Sequence, residues 1–391
     1  MLVGCASVLV TNLVLRFYWS TGPLTTAWVP LLVGGSVIAT TANSTAIPGL
    51  NMLGYQRAFL FLSNTTTFLS LVFAMLFVKF LGSSAQHWVL GMIIGQVFIA
   101  IVGARKFPPS GNWKGALKLC DARKLQSLFQ FSWPISVAVG LAWVQTQSYR
   151  LLSGPLIGLH EVGLLAAGIG LSVAIIAAIE SIMSSYLLPE FYKKIHSDEP
   201  ATQESAWRLY AKVTIPIYIL TGCYLASVTP ELVDILMGPT YANSSKYVYW
   251  GIVAEIARAS SYTMSMILHA RNRTWLLIIP AFFASVTSML IFYTFVNCLQ
   301  AHGIGLALAI AGAVNLLVTW LVTKRQIEKH VTITKIAPLV IGAMMIYFSA
   351  SLLRQIGITY QFLQSLFVVG ICGLEYLTAI YLISNQSLKA V

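Results

Sequence analysis

Twelve runs of about 20 apolar residues, joined by short polar segments, constrain this chain more than any other feature. A helix of that length crosses the roughly 30 Å hydrocarbon core of a bilayer. No water is available there for backbone groups, so a spanning segment must be a helix or part of a closed barrel. The runs cover about 2–16, 28–50, 58–81, 87–104, 128–152, 160–189, 209–229, 247–270, 275–298, 303–322, 336–353 and 362–384. Only 9% of the 391 residues are charged and 57% are hydrophobic, which leaves no room for a sizeable soluble domain. The expected fold class is all-α and polytopic, with about 12 transmembrane helices.

The joins alternate in charge. One set holds 18 of the 24 Lys and Arg residues: Arg57, the group from Arg105 to Lys124, Lys193, Lys194, Arg208, Lys212, Arg271, Arg273, the group from Lys324 to Lys335, and Lys389. The opposite set holds Arg16, Lys79, Arg150, Lys246 and Arg354, and Arg258 falls inside a span. Translocated short loops are poor in Lys and Arg, so the rich side reads as cytoplasmic, with both termini there. The net charge of +12 is then a topology signal. It does not point to nucleic acid, because the basic residues sit in short joins with no aromatic-interleaved patch. Five scattered cysteines without a CxxC argue against a disulfide frame or a metal site, and no cofactor motif is present.

A shift of 216 residues lays part of the chain on itself. Arg57 meets Arg273, each just ahead of a span with an aromatic start at Phe59 or Trp275. Span 58–81 then overlays 275–298, and 87–104 overlays 303–322. Read as parallel repeats of the kind alternating-access transporters use, residues 1–105 form an N-lobe of four helices and 106–127 a basic cytoplasmic linker. Residues 128–323 form a C-lobe of six helices, and 336–384 an additional pair outside the repeat. The counterparts of 128–152 and 160–189 would precede Met1. Side-chain identities between the blocks are few, so chance alignment of helical hairpins is the competing account.

The segment from Phe131 to Ile195 carries Phe-Ser-x-Pro at 131–134, an Arg closing that helix at 150, Glu161-Val162-Gly163, and a Pro ending the next helix at 189. In this order and spacing it resembles the start of the C-lobe in polysaccharide exporters of the O-antigen flippase type. These belong to the multidrug/oligosaccharidyl-lipid/polysaccharide exporter superfamily. Residues 231–248 and 302–317 are similar to later segments of that family, so the resemblance covers roughly 1–330. Tyr149 stands where many relatives have an acidic residue, and the first two spans of the family's N-lobe have no equivalent. The resemblance implies a multi-pass protein of the bacterial inner membrane, active in O-antigen, lipopolysaccharide or related polysaccharide biosynthesis. Its implied partners are a polyprenyl-pyrophosphate-linked saccharide, membrane lipid, and a coupling proton or cation.

Ionisable groups at mid-membrane cost about 2.5–3.5 kcal/mol each on insertion scales, which makes them functional candidates. In 247–270, Gly251, Glu255, Arg258, Tyr262, Ser265 and His269 recur at spacings of 4, 3, 4, 3 and 4, placing them on one helical stripe. That stripe fits a wet cavity, and it fits equally an ion pair between Glu255 and Arg258 that only fixes helix packing. A second stripe, Ser136, Gly140, Trp143, Gln147 and Arg150, runs along 128–152. Arg150 either contacts substrate or snorkels to headgroups. Glu180 lies deep in 160–189, as a partner for Arg258 or Arg150, a coupling site, or a buried neutral carboxyl. Glu375 reads as peripheral. In the first block Ser36, Thr40 and Asn43, and the run Asn64–Thr67, read as helix-packing residues. His196 and Asp198 read as a solvated loop.

These residues and the resemblance together lead to the expectation of an exporter, not an enzyme, that flips a lipid-linked saccharide by alternating access. Arg258, Arg150, Glu255, Glu180, Gln147 and Tyr262 would line its cavity. The alternatives left open are a cation-coupled drug exporter of the same superfamily, a membrane glycosyl- or acyltransferase, and an inactive truncated remnant. No HExxH, GxSxG or phosphate-cradling Gly loop supports the enzyme.

Overall fold

The structure is a computed structural model and describes residues 28–105, 122–195, 200–325, 327, 336–355 and 361–388. The expected span 2–16, most of the linker 106–127, the join after Arg325 except residue 327, and the pair His196 and Asp198 lie outside the described residues. Each of the other eleven expected spans falls on helix, and the described residues contain no strand. The protein is all-α and polytopic. Among the described residues, eight helices are long and apolar enough to cross a membrane.

The chain divides into two compact units, Met1–Cys120 and Asp121–Val391. In the first, α1 (Trp28–Met52), α2 (Gln56–Leu81) and α3 (Ala85–Ala104) follow one another through short turns. Gly54, at φ +88°, supplies the positive φ needed to leave α1. Ser84 caps α3 by accepting from the His87 N–H at 3.3 Å. Small residues bring α2 and α3 together. A Cβ on Gly91 would stand 2.6 Å from Ala74 Cα, and one on Gly95 2.6 Å from Ser70 Cα. Within lipid, where the hydrophobic effect does not drive helices together, such close backbone approach is a main source of attraction. The Asn43 Nδ2 of α1 donates to the Gln96 carbonyl of α3 at 2.8 Å.

The second unit holds α4 (Ala122–Gln147), α5 (Leu159–Ile195), α6 (Pro200–Met237), α7 (Ser245–Ala270), α8 (Ile278–Leu299), α9 (Ala301–Lys324), α10 (Ile336–Gln355) and α11 (Gln361–Leu388). At its centre is α7, which packs against α5, α6 and α9. Glycines seat it there: a Cβ on Gly251 would meet Ser172 Oγ at 2.8 Å, and one on Gly168 would meet the Ser244 carbonyl at 2.5 Å. Although 26 residues long, α7 is not one of the eight helices long and apolar enough to cross a membrane, because its polar stripe dilutes it.

Element edges differ from the sequence reading in three places. The span expected at 128–152 ends as α4 at Gln147, and Arg150 sits in a separate single-turn helix, Tyr149–Leu152. Pro189 does not end its helix; α5 continues through it to Ile195. The span 209–229 lies within a helix of 38 residues, broken in geometry at Val228. Hydropathy marks where a segment would enter lipid, whereas a helix continues wherever its backbone bonds are met, so α5 and α6 carry Lys193, Lys194 and Arg208 on helical turns beyond the apolar stretch.

Candidate functional site

Three charged side chains converge in the second unit. Arg258 on α7 donates through Nε to Glu255 Oε2 at 2.7 Å, one turn back on the same helix. Its Nη2 donates to Glu180 Oε2 on α5 at 2.6 Å. The i,i+3 spacing gives the first contact, and the close α5–α7 packing at Gly251 gives the second. Charge-assisted bonds of this length are the strong kind. Burial is uneven: the side chains of Glu255 and Glu180 are 8% and 15% exposed, but that of Arg258 is 35% exposed. The Arg258 side chain is therefore anchored through two nitrogens and about one-third exposed.

The α7 stripe does not form a single open line. Gly251 is pressed on α5, Glu255 is buried, and buried Ser265 turns back to the Tyr262 carbonyl at 2.8 Å. Half-buried His269 meets Phe131 edge-on, with centroids 6.5 Å apart. Arg258 and Tyr262 are the open part.

A polar line on α6 went unread in the sequence. Tyr210, Thr214, Tyr218 and Thr221 recur at spacings of 4, 4 and 3, and all four are buried. Thr214 Oγ1 reaches Thr263 Oγ1 of α7 at 3.4 Å. Tyr210 and Tyr218, with Tyr262, stand within electrostatic reach of Glu180. The spacing was the available signal; tyrosine and threonine pass as ordinary helix-packing residues when nothing marks what faces them.

The residues of the stripe expected along 128–152 fall elsewhere. Ser136, Gly140, Trp143 and Arg150 are all exposed, and Gln147 is half-buried at the end of α4. Arg150 Nε contacts the Tyr149 hydroxyl at 3.3 Å and forms no ion pair among the described residues. Of the six expected cavity residues, the structure thus brings together Arg258, Glu255, Glu180 and Tyr262, and it leaves Arg150 and Gln147 apart from them. Glu375 accepts from Ser349 Oγ at 2.6 Å, between α10 and α11.

A helical bundle of apolar spans with mutually paired charges on facing helices defines a multi-pass membrane protein. The family model described as "Polysaccharide biosynthesis protein" matches residues 34–246, more than half of the chain, and the chain belongs to that family. Among curated protein sequences no relative matches. Among solved structures, lipid II flippase MurJ in an inward closed conformation superposes with a TM-score of 0.61 at 13% identity, over 99% of this chain and 82% of that one. At that identity the likeness is one of fold. The family's description names polysaccharide biosynthesis, and the structural neighbour is named as a flippase.

Proposed function

We propose that this protein flips a polyprenyl-pyrophosphate-linked saccharide across a bacterial inner membrane by alternating access of two helical lobes, with both termini in the cytoplasm. The observation that carries the reading is Arg258, whose guanidinium is held by two carboxylates while its side chain stays about one-third exposed. An incoming pyrophosphate can compete for it, because guanidinium binds phosphate in the same forked geometry as carboxylate. The two carboxylates keep the cation oriented and balanced in an empty site, where an unpaired charge would be costly. With the cell interior negative, outward movement of an anion is downhill by about 2.3 kcal/mol per charge per 100 mV. Desolvation of the headgroup is the barrier, and Arg258 lowers it. Arg150, exposed and unpaired among the described residues, serves as an entry or exit contact.

A second reading rests on the ratio of charges. Two carboxylates share one Arg, so the site carries a surplus negative charge unless a proton or cation balances it. That surplus suits a coupling proton or cation within the flippase reading, and it suits a cation-coupled drug exporter as well.

One experiment separates them. The triple neutral variant Glu180→Gln, Glu255→Gln, Arg258→Gln removes all three charges and leaves none stranded, so normal insertion is expected. In vesicles with a fluorescent polyprenyl-pyrophosphate saccharide, flipping should fall at least about tenfold, the scale of one lost charge-assisted contact. Restored flipping in that variant removes the substrate role of Arg258. Efflux of a lipophilic cationic dye by the wild-type protein, with no flipping, establishes the drug exporter instead.

A further inference from the structure

The pair α10 and α11 is fastened to α6 where that helix breaks. Val228 leaves helical geometry at φ −112° and ψ 16°, two residues before Pro230. A proline removes one backbone donor, and a kink parts nearby carbonyls from their helical partners. In a spanning helix those groups need another partner. Arg354, in the last turn of α10, supplies one: its Nη2 donates to the Ser227 carbonyl at 2.6 Å. Its Nε and Nη2 also grip the two oxygens of Glu231 at 2.6 and 2.9 Å. Nearby, Ser365 Oγ at the start of α11 donates to Asp234 Oδ2 at 3.1 Å. Gln364 Nε2 donates to the Arg354 carbonyl at 3.1 Å, which ties α11 to α10. Before the kink, Tyr224 stacks on Tyr376 with centroids 5.0 Å apart, and Thr221 Oγ1 lies 2.7 Å from the Tyr376 hydroxyl.

We propose that this clasp makes α6, α10 and α11 one rigid body that stays closed through the working cycle, with Arg354 as the positioning residue that sets the angle of α6 beyond Val228. A gate needs contacts that open cheaply, and these do not. Glu231 and Ser365 are buried, so opening would strand a carboxylate in a low-dielectric setting. The forked Arg354–Glu231 pair fixes direction as well as distance. Buried Leu220, Leu225 and Leu232 of α6 share one core with Ile346 of α10 and Val368 and Cys372 of α11, so the contact continues along the helices and does not rest on the clasp alone. The last two helices are thereby a structural part of the second unit. They are coupled through α6 to Tyr210 and Tyr218, near Glu180.

The test uses the full chain in lipid with its five native cysteines replaced by alanine. Spin labels are placed at two exposed positions, Leu236→Cys on α6 beyond the kink and Leu363→Cys on α11. Pulsed dipolar spectroscopy should give a single narrow distance distribution. Arg354→Ala should broaden it about two-fold, and Arg354→Lys should recover part of the width, because charge returns without the fork. Two resolved distances with the clasp intact would show that it opens, and an unchanged width in Arg354→Ala would show that it positions nothing. If Arg354→Ala fails to insert, cross-linking decides instead. Asp234→Cys with Ser365→Cys, treated with a short bis-methanethiosulfonate that forms a disulfide with each thiol and releases sulfinate, should link to completion in one kinetic phase, and a partial plateau would overturn the static joint. None of these readouts involves transport, so the clasp and the export reading fail separately.

Discussion

Two polar stripes, on α4 and α7, look alike in sequence and come to different ends in the structure. Both recur at spacings of 3 and 4, both contain a glycine, and both include an arginine. On α7 the stripe meets α5 and α6, and its charges find partners at 2.6 and 2.7 Å. On α4, Ser136, Gly140 and Trp143 are exposed, as is Arg150 in the single turn that follows, and α4 is held to α8 by contacts on other positions, such as Ser288 Oγ donating to the Gln145 carbonyl at 3.0 Å. Periodicity identifies a face. It does not say what lies opposite that face, and the opposite surface decides whether an arginine is paired with carboxylates or left exposed.

The largest expected difference between the stripes is in their arginines. Arg258→Ala leaves two carboxylates without their cation, one of them buried, and truncating one partner of a buried pair costs about 3–5 kcal/mol. One-third of the Arg258 side chain is open, so the lower end of that range applies. Membrane-inserted protein should drop several-fold, as read by quantitative blotting and by fluorescence-detected gel filtration. Arg150→Ala removes an exposed side chain whose weak contacts are to its neighbour Tyr149, and the effect should stay within about 0.5 kcal/mol. Equal losses in the two variants would mean that Arg150 has a partner as strong as Glu180.

The glycines sharpen the contrast at a lower magnitude. In Gly251→Ala the new methyl meets Ser172 Oγ at 2.8 Å and Ile169 Cα at 3.0 Å. The backbone atom cannot swing aside, and Ser172 is itself bonded to the Val248 carbonyl at 2.8 Å. Overpacking of this kind costs about 1–3 kcal/mol. A Cβ on Gly140 meets nothing within 4 Å, so Gly140→Ala should be neutral or gain up to about 1 kcal/mol from helix propensity. Thermal unfolding in detergent reads both. A destabilised Gly140→Ala would indicate that a surface packs closely on that face of α4.

How much of this was legible follows from what each signal measures. Hydropathy located the eleven described spans, because burial in lipid and helix formation coincide over their middles. It misplaced the ends of α4, α5 and α6, where helix continues or breaks independently of lipid depth. The Glu255–Arg258 contact was readable because i,i+3 neighbours on a helix meet whatever the tertiary fold. Glu180 was a partner for either Arg258 or Arg150 on sequence grounds, and α5–α7 packing brings it to Arg258. The Arg354–Glu231 clasp joins residues 123 positions apart, and neither lies in a pattern that a one-dimensional reading could connect.

The smallest expected effect concerns the α6 line that the sequence reading missed, and its sign is the informative part. Tyr210 is 3% exposed, and its hydroxyl finds no hydrogen-bond partner among the described residues. It borders a cavity of about 260 Å³ lined also by Met183, Leu187 and Phe191 of α5 and Ile380 of α11. A buried hydroxyl without a partner has lost hydration and gained nothing, so Tyr210→Phe should leave stability unchanged or raise it by about 1 kcal/mol. Tyr247 is equally buried, but its hydroxyl donates to Glu161 Oε2 at 2.7 Å, and Tyr247→Phe should lose about 1.5–3 kcal/mol, the range for a bond to a charged group. Opposite signs in thermal unfolding would mark Tyr210 as a donor left spare within reach of Glu180. If Tyr210→Phe is as stable as wild type yet flips substrate more slowly, the spare hydroxyl belongs to the transport site, and the stripe on α6 joins the stripe on α7 as its second wall. A loss of stability equal to that of Tyr247→Phe would instead give Tyr210 a partner of its own and return α6 to helix packing.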